Sequence, residues 1–242
     1  MRTGYGFRLG LVFALSAASP AWADTSPAPV GQDASAAAAE RQRLNTGFEL
    51  AGQGKASEAE AIFSAVIADY DRKAQPGMIY RCADNPAHGL ETLFAAVAKK
   101  PDQNIILLGP NWCEALFGEG FVLIDLNRAS EAKDFLARAV EMAPTNAHYR
   151  NEYAEWYKAH HQWQQAHDLF AEAWSTVDHS KTGPDRKIAA RSLRGIGFTQ
   201  IELGDYNDAE RQFKLSLEFE PEKQAAVAGE LQYIADQRKK TN

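Results

Sequence analysis

The chain has 242 residues, of which 26 are basic and 32 acidic, so its formal net charge at pH 7 is −6. An acidic surface argues against nucleic acid and anionic lipid as partners, because both need a basic footprint. The composition therefore excludes these two ligand classes before any motif is considered.

The N-terminus has the pattern of a secretory signal. Arg2 and Arg8 precede an apolar run of ten residues, Leu9–Ala18, and Ala21-Trp22-Ala23 then places small residues at the usual cleavage positions. An uncleaved anchor or a buried first helix is the alternative, but a membrane-spanning helix needs about 20 apolar residues. The pattern predicts a signal peptide over 1–23, cleaved after Ala23, and therefore a periplasmic or secreted protein.

The next segment, 24–39, is rich in small residues, contains proline and is nearly free of large apolar groups. It is interpreted as a flexible leader, because it cannot bury enough surface to offset the entropy of ordering. From residue 40 onward apolar residues recur at helical spacing, and glycine and proline fall mainly between the periodic stretches. This change predicts an all-α domain.

The clearest internal pattern lies at 190–221. It combines a large apolar residue, an apolar-small pair, a Gly-Asp-Tyr turn, a small residue, an aromatic residue and a closing proline, namely Leu193, Ile196, Gly197, Gly204-Asp205-Tyr206, Ala209, Phe213 and Pro221. This pattern resembles a unit of the tetratricopeptide repeat (TPR) superfamily. Small residues let the two helices of such a unit approach closely, and proline ends the second helix.

The same spacing occurs upstream at 113–146 and 147–180, and Ala132 and Ala166 are 34 residues apart, which is the TPR period. A degenerate unit covers 40–71, and extra residues before the last unit predict a loop insertion at 181–189. An irregular bundle is the competing interpretation, although chance rarely produces a fixed period. The resemblance implies a TPR-type α-solenoid of helix-turn-helix repeats.

The region 72–112 does not follow the repeat and is left open as a degenerate repeat or an insertion. A helix is predicted over 86–100, and Asn111 is predicted to cap the helix that follows. The only two cysteines, Cys82 and Cys113, predict a disulfide in an exported protein, with two separately buried thiols as the alternative. The C-terminal segment, 222–242, is predicted to be a capping helix and tail.

The resemblance implies that the first helix of each unit lines a concave binding surface. Twelve residues occupy the positions that face this surface: Asn45, Phe48, Phe117, Phe121, Asp125, Asn151, Glu155, Lys158, Arg191, Arg194, Phe198 and Glu202. Three of them, Phe48, Phe121 and Phe198, fall at the same repeat position and form a candidate aromatic ladder. Such a ladder serves either as a groove wall or as part of the core, and the sequence leaves both open.

No catalytic or metal-binding pattern stands out. His160, His161 and His167 lie near one turn, without ligands at zinc-site spacing, and there is no phosphate-binding loop or nucleophile elbow. We therefore expect a non-catalytic adaptor of the cell envelope, without cofactor, metal or integral membrane segment, that binds a protein or peptide. The alternatives are a structural, self-associating homo-oligomer and an accessory subunit of a cell-envelope or polysaccharide biosynthesis complex.

Overall fold

A computed structural model describes residues 34–99 and 104–241, so the predicted signal peptide lies outside the described residues. The described elements are, in order, α1 (Ala34–Gly52), α2 (Ala56–Lys73), β1 (Ile79–Cys82), α3 (Pro86–Lys99), β2 (Ile105–Leu108), α4 (Asn111–Asp125), α5 (Ala129–Met142), α6 (Ala147–Ala159), α7 (Trp163–Thr176), α8 (Arg186–Leu203), α9 (Tyr206–Phe219) and α10 (Gln224–Thr241).

Consecutive helices pack as pairs, α1 with α2, α4 with α5, α6 with α7 and α8 with α9. The pairs stack through α2 on α4, α5 on α6 and α7 on α8, and α10 packs against α9 at the C-terminal end. This arrangement is an α-solenoid, and the predicted fold class is confirmed. No helix in the described part of the chain has both the length and the apolar content needed to cross a membrane.

Small residues allow the two helices of a pair to pack closely. A Cβ placed on Gly197 would lie 2.9 Å from Phe213 Cε2, and one on Gly120 would lie 2.7 Å from Leu136 Cγ. Both distances are shorter than carbon atoms tolerate, so only glycine permits these helices to approach as they do. Ala209, opposite Gly197, is fully buried in the same contact.

The Gly-Asp-Tyr turn has a local cause. Gly204 ends α8 with φ of 87°, in the left-handed region that favours glycine. Asp205 then caps α9, and its side chain accepts a hydrogen bond of 3.3 Å from the backbone N–H of Asp208. The repeat pattern and the residues of the turn therefore predict the same boundary between α8 and α9.

The region 72–112 forms a βαβ insertion rather than a helix pair. Strands β1 and β2 pair in parallel, with Ile79 opposite Ile105 and Cys82 opposite Leu108, and α3 connects them. The apolar run that ends at Leu108 is thus a strand. Because α4 packs directly on α2, the insertion leaves the stacking of the repeats continuous.

A disulfide attaches the insertion to α4, and a hydrogen bond joins α4 to α1. Cys82 at the end of β1 forms a disulfide with Cys113 in α4, with a Cα–Cα distance of 6.2 Å, which confirms the predicted bridge. Asn111 does not cap α4, since Pro110 occupies the N-cap position. Instead its side-chain amide donates to Glu40 Oε1 at 2.9 Å and thereby joins α4 to α1.

Two boundaries differ from expectation. Helix α1 begins at Ala34 rather than at residue 40, because the alanine run has high helix propensity and extends the helix into the predicted leader. Helix α8 begins at Arg186, inside the predicted loop 181–189, because Ala189 is fully buried and belongs to the core. The C-terminal helix buries Val227 and Ile234.

Candidate protein-binding groove

The first helices of the four units, α1, α4, α6 and α8, lie side by side. The ring of Phe48 in α1 lies 6.1 Å from that of Phe117 in α4, and Phe117 lies 4.9 Å from the ring of His148 in α6. An ion pair between Glu152 in α6 and Arg191 in α8 completes the row. We call the surface formed by these four helices the groove face.

Phe117 is the centre of an aromatic cluster and belongs to the core. It is 9 % exposed and contacts Phe48, Phe121 and Tyr149, with ring centroids 5.1–6.4 Å away. The prediction that Phe117 lines the groove is therefore wrong. Phe117 lies in the middle of α4 and between neighbouring helices, where removing its apolar ring from water is favourable.

Each ring of the aromatic ladder is partly buried in the core and partly exposed. Phe48 rests on Phe63, with centroids 4.9 Å apart, and both Phe48 and Phe121 pack against the main core while remaining half-buried. Phe198 is also half-buried and packs against a separate C-terminal core cluster. In the third unit Glu155 takes the equivalent position, so the ladder is interrupted there.

A mixed charged and aromatic cluster links the third and fourth units. Lys158 Nζ lies 5.0 Å from the centroid of the Phe198 ring, and the same ammonium group pairs with Glu155. Trp163 approaches the Phe198 ring from α7, at 6.1 Å between centroids. Three predicted site residues, Glu155, Lys158 and Phe198, are thus brought together by the fold.

Asn151 is not a groove residue, contrary to the sequence prediction. It is fully buried, and its amide donates to the carbonyl of Ile188 at 3.2 Å. Its carbonyl oxygen accepts from Ser192 Oγ at 3.0 Å. Both polar atoms of this side chain are used to join α6 to α8, which is how a buried amide is normally satisfied.

The remaining predicted residues lie at the ends or edges of the row. Asn45 and Asp125 are exposed, and Glu202 is half-buried on α8. Arg194 turns toward the end of α9, where its guanidinium lies 2.8 Å from Glu220 Oε2. Arg194 therefore stabilises the last repeat more than it presents charge to a ligand.

The sequence analysis predicted Arg191 but missed its partner Glu152 and the pair formed by Arg41 and Glu114. Arg41 pairs with Glu114 across α1 and α4, and Arg191 pairs with Glu152 across α8 and α6; we call these the groove ion pairs. A positional signal could have found two of the missed residues, Arg41 and Glu114. A polar residue stands six places before the small residue that recurs in the first helix of each unit, namely Arg41, Glu114, His148 and Arg191.

Comparison with known proteins identifies the architecture. No protein-family model and no curated protein matches the chain. Solved structures do: PilF of Pseudomonas aeruginosa is 13 % identical with a TM-score of 0.56, over 84 % of this chain and 71 % of that one. A putative kinesin light chain of Podosopora anserina with TPR-like repeats is 13 % identical with a TM-score of 0.56, over 83 % and 88 %.

A structure of MamA from MSR-1 is 15 % identical with a TM-score of 0.50, over 82 % of this chain and 86 % of that one. The chain has the TPR fold. At these identities the similarity concerns the fold alone.

The surroundings of His148 shift the pKa values of His148 and Glu152. The His148 side chain is 39 % exposed, and its Nδ1 lies 4.0 Å from Glu152 Oε1. The protein crowds the ring on its other sides, and this burial lowers the pKa of His148, so the ring is neutral at pH 7. Burial raises the pKa of Glu152, but Arg191 outweighs it and keeps the carboxylate ionised.

The other histidines of the TPR solenoid have structural contacts. His160 stacks on Trp156 with centroids 3.8 Å apart, and its Nδ1 lies 2.7 Å from the carbonyl oxygen of Trp156. The ring of His161 meets the edge of Trp163 at 4.9 Å. Within residues 34–99 and 104–241, no group of three or more His, Cys, Asp or Glu side chains is arranged to hold a metal ion.

Proposed function

We propose that this protein is a non-catalytic adaptor that binds a protein or peptide partner along the groove face. The observation that carries the proposal is the row of four first helices, which presents the half-buried rings of Phe48, Phe121 and Phe198 next to the groove ion pairs. Apolar anchors beside a few oriented polar groups are typical of a peptide-binding surface.

The chemistry of the groove indicates how a partner binds. Arg41 with Glu114 and Arg191 with Glu152 neutralise each other, so these pairs supply orientation rather than net attraction. Affinity then comes from apolar side chains of the partner that cover the exposed parts of the aromatic ladder. The partner of this site is an apolar segment of peptide with few charges of its own.

The location proposed for this activity is the periplasm or the outside of the cell. The N-terminal signal pattern supports it, and so does the disulfide between Cys82 and Cys113, since disulfides persist mainly in oxidising compartments. Cell fractionation with an antibody to residues beyond Ala23 tests this point. Recovery of a full-length, uncleaved chain in the cytoplasm would overturn it.

The groove is tested by affinity capture from envelope extract with tagged protein spanning 24–242. The test variant is Phe121→Ala/Phe198→Ala, and the matched control is Leu203→Ala, which removes an exposed apolar side chain at the end of α8. We expect a partner that wild type and the control retain and the test variant loses, with circular dichroism showing equal helicity. Identical capture by all three proteins would contradict the proposal.

A second candidate function is self-association. It is favoured by a different surface, the exposed apolar side of α3, where Leu90, Phe94 and Val97 are among the most exposed large apolar residues of the described chain.

A further inference from the structure

Within residues 34–99 and 104–241, the βαβ insertion has an apolar strand edge without a backbone partner. Backbone bonds join Ile79 N–H to Asn104 O at 2.8 Å and Ala83 N–H to Leu108 O at 3.1 Å. In a parallel ladder of this register, the even-numbered residues of β2 direct their backbone N–H and C=O groups toward β1. The backbone groups of Ile105 and Leu107 therefore point to the opposite edge. Across the described residues, no backbone group pairs with that edge.

Among the residues that the structure describes, none gives this edge the usual protection. Proteins normally shield an edge strand with charge, proline, a bulge or a covering element, because its free backbone groups recruit other chains. Strand β2 has the sequence Ile-Ile-Leu-Leu, and all four side chains remain partly exposed. A two-stranded sheet is also marginal by itself. Both features indicate that β2 has a further strand beside it in the functional protein.

The helix of the insertion exposes an apolar flank beside the same edge. Leu90 is 57 % and Phe94 72 % exposed, and Val97 follows at helical spacing. The opposite flank faces the solenoid, since Thr92 Oγ1 lies 3.5 Å from Thr145 Oγ1 in the loop between α5 and α6. Strand β1 packs against α5, so the exposed flank of α3 lies on the β2 side.

We propose that this edge and flank form the interface between two copies of the chain. A two-fold axis near Ile106 pairs β2 with β2 of the second copy in antiparallel fashion. Ile105 of each copy then stands opposite Leu107 of the other, and about four backbone hydrogen bonds form. The result is a continuous four-stranded sheet in the order β1-β2-β2-β1, with both α3 helices on one face.

The helix spacing in this dimer is the argument for a second copy rather than another occupant. At Gly89 helix α3 lies over β2 and over the residue that follows β1, because a Cβ there would lie 2.9 Å from Leu107 Cδ2 and 3.6 Å from Ala83 Cβ. Strands lie about 4.8 Å apart, so two such helices are separated by roughly two strand spacings, about 9.6 Å. Packed helices are separated by roughly 8–10 Å. The exposed flanks therefore meet at normal packing distance.

Charge also favours a second copy. The whole chain is acidic, and two acidic molecules approach most easily through an uncharged surface. Neither β2 nor the flank formed by Leu90, Phe94 and Val97 carries a charge, and Glu91 lies on the helix side opposite Gly89, away from the sheet. The interface buries on the order of 1,000 Å² in total, which corresponds to a weak, concentration-dependent dimer.

Sedimentation analysis of the chain spanning 24–242, from about 1 µM to about 1 mM, tests the proposal. We expect a monomer–dimer equilibrium, and amide hydrogen exchange in 104–108 that slows as concentration rises. Phe94→Glu, a change at a largely exposed position, should weaken dimerisation at least about tenfold. Leu203→Glu, an equally drastic change at an exposed apolar residue of α8, should leave it unchanged.

The same measurements on a chain spanning 34–242 distinguish the other occupants. Unchanged dimerisation shows that residues 24–33 are not needed. A chain that stays monomeric over the whole range overturns the proposal, and protection of 104–108 that depends on residues 24–33 would assign the edge to the leader instead. Because Phe94→Glu and the chain spanning 34–242 leave the four helices of the groove face unchanged, the outcome is independent of partner capture by the aromatic ladder.

Discussion

Glu152 and Arg191 form a bidentate ion pair that joins the third repeat to the fourth, with Arg191 Nη2 donating to Glu152 Oε2 at 3.0 Å. The Glu152 side chain is only 12 % exposed. A carboxylate that is buried to this extent needs its partner, because an unpaired charge in such a place is strongly destabilising. The pair therefore orients the groove face and supports the stacking of α6 on α8.

Replacing Arg191 by Met tests this contribution. The change should lower the free energy of unfolding by about 2 kcal/mol, since it leaves the Glu152 carboxylate without its main partner. Urea denaturation followed by circular dichroism measures the loss. Lys181→Met breaks an exposed pair with Glu218 and is the control, with an expected change below about 0.5 kcal/mol. Equal losses in the two variants would contradict the role given to Arg191.

Stability should depend on pH through His148. The pKa of His148 in the folded protein is below the ordinary value of 6.5, so the unfolded chain binds the proton more readily. The stabilisation is present above pH 6.5 and is lost as pH falls toward the folded pKa. Melting temperatures between pH 5 and pH 8 should show this decline in wild type and a weaker one in His148→Gln. A profile unchanged by the substitution would exclude His148 as the cause.

Asn151 and Asn45 show where sequence reasoning was insufficient. Both occupy positions that face the concave surface in TPR proteins, yet one is fully buried and the other is exposed. The difference comes from Ser192 and Ile188, which lie 41 and 37 residues further along and reach Asn151 only after the repeats stack. A contact of that separation leaves no local trace in the sequence.

The repeats themselves were predictable because their determinants are local. Gly197, Ala209 and Phe213 act within one helix pair, and their spacing repeats along the chain. The βαβ insertion was harder, because its strands have four residues each and pair across 26 positions, as Ile79 does with Ile105. Short apolar runs of this kind do not distinguish a strand from a buried helix segment.

The two asparagines offer a matched test of burial. Asn151→Ala should cost about 1–3 kcal/mol of unfolding free energy, because it leaves the Ile188 carbonyl and the Ser192 hydroxyl with fewer partners inside the protein. Asn45→Ala should change stability by less than about 0.5 kcal/mol, as expected at an exposed position. Denaturant unfolding of both variants provides the comparison. A neutral Asn151→Ala would show that these buried hydrogen bonds contribute little to stability.

Reduction of the disulfide should destabilise the whole chain. The bridge closes a loop with a sequence separation of 31, which corresponds to about 3–4 kcal/mol in the chain-entropy model. Thermal unfolding with and without a phosphine reductant measures the effect, and hydrogen exchange in 79–108 should accelerate at the same time. The Cys82→Ser/Cys113→Ser variant is the control, because its melting temperature should not respond to reductant. A wild-type melting temperature that is equally unresponsive would show that the bridge contributes little.

Two glycines in different surroundings test the close helix contact that defines the repeat. In Gly197→Ala the new methyl group would meet Phe213 at 2.9 Å and the carbonyl oxygen of Ala209 at 3.3 Å, so α8 and α9 must separate. The expected loss is about 1–3 kcal/mol. Gly229→Ala, in α10, meets no atom within 4 Å and should stabilise the helix by about 0.5–1 kcal/mol. Opposite signs in denaturant unfolding support close packing as the reason for glycine at 197. A stabilising Gly197→Ala would show that the pair has room for a larger residue.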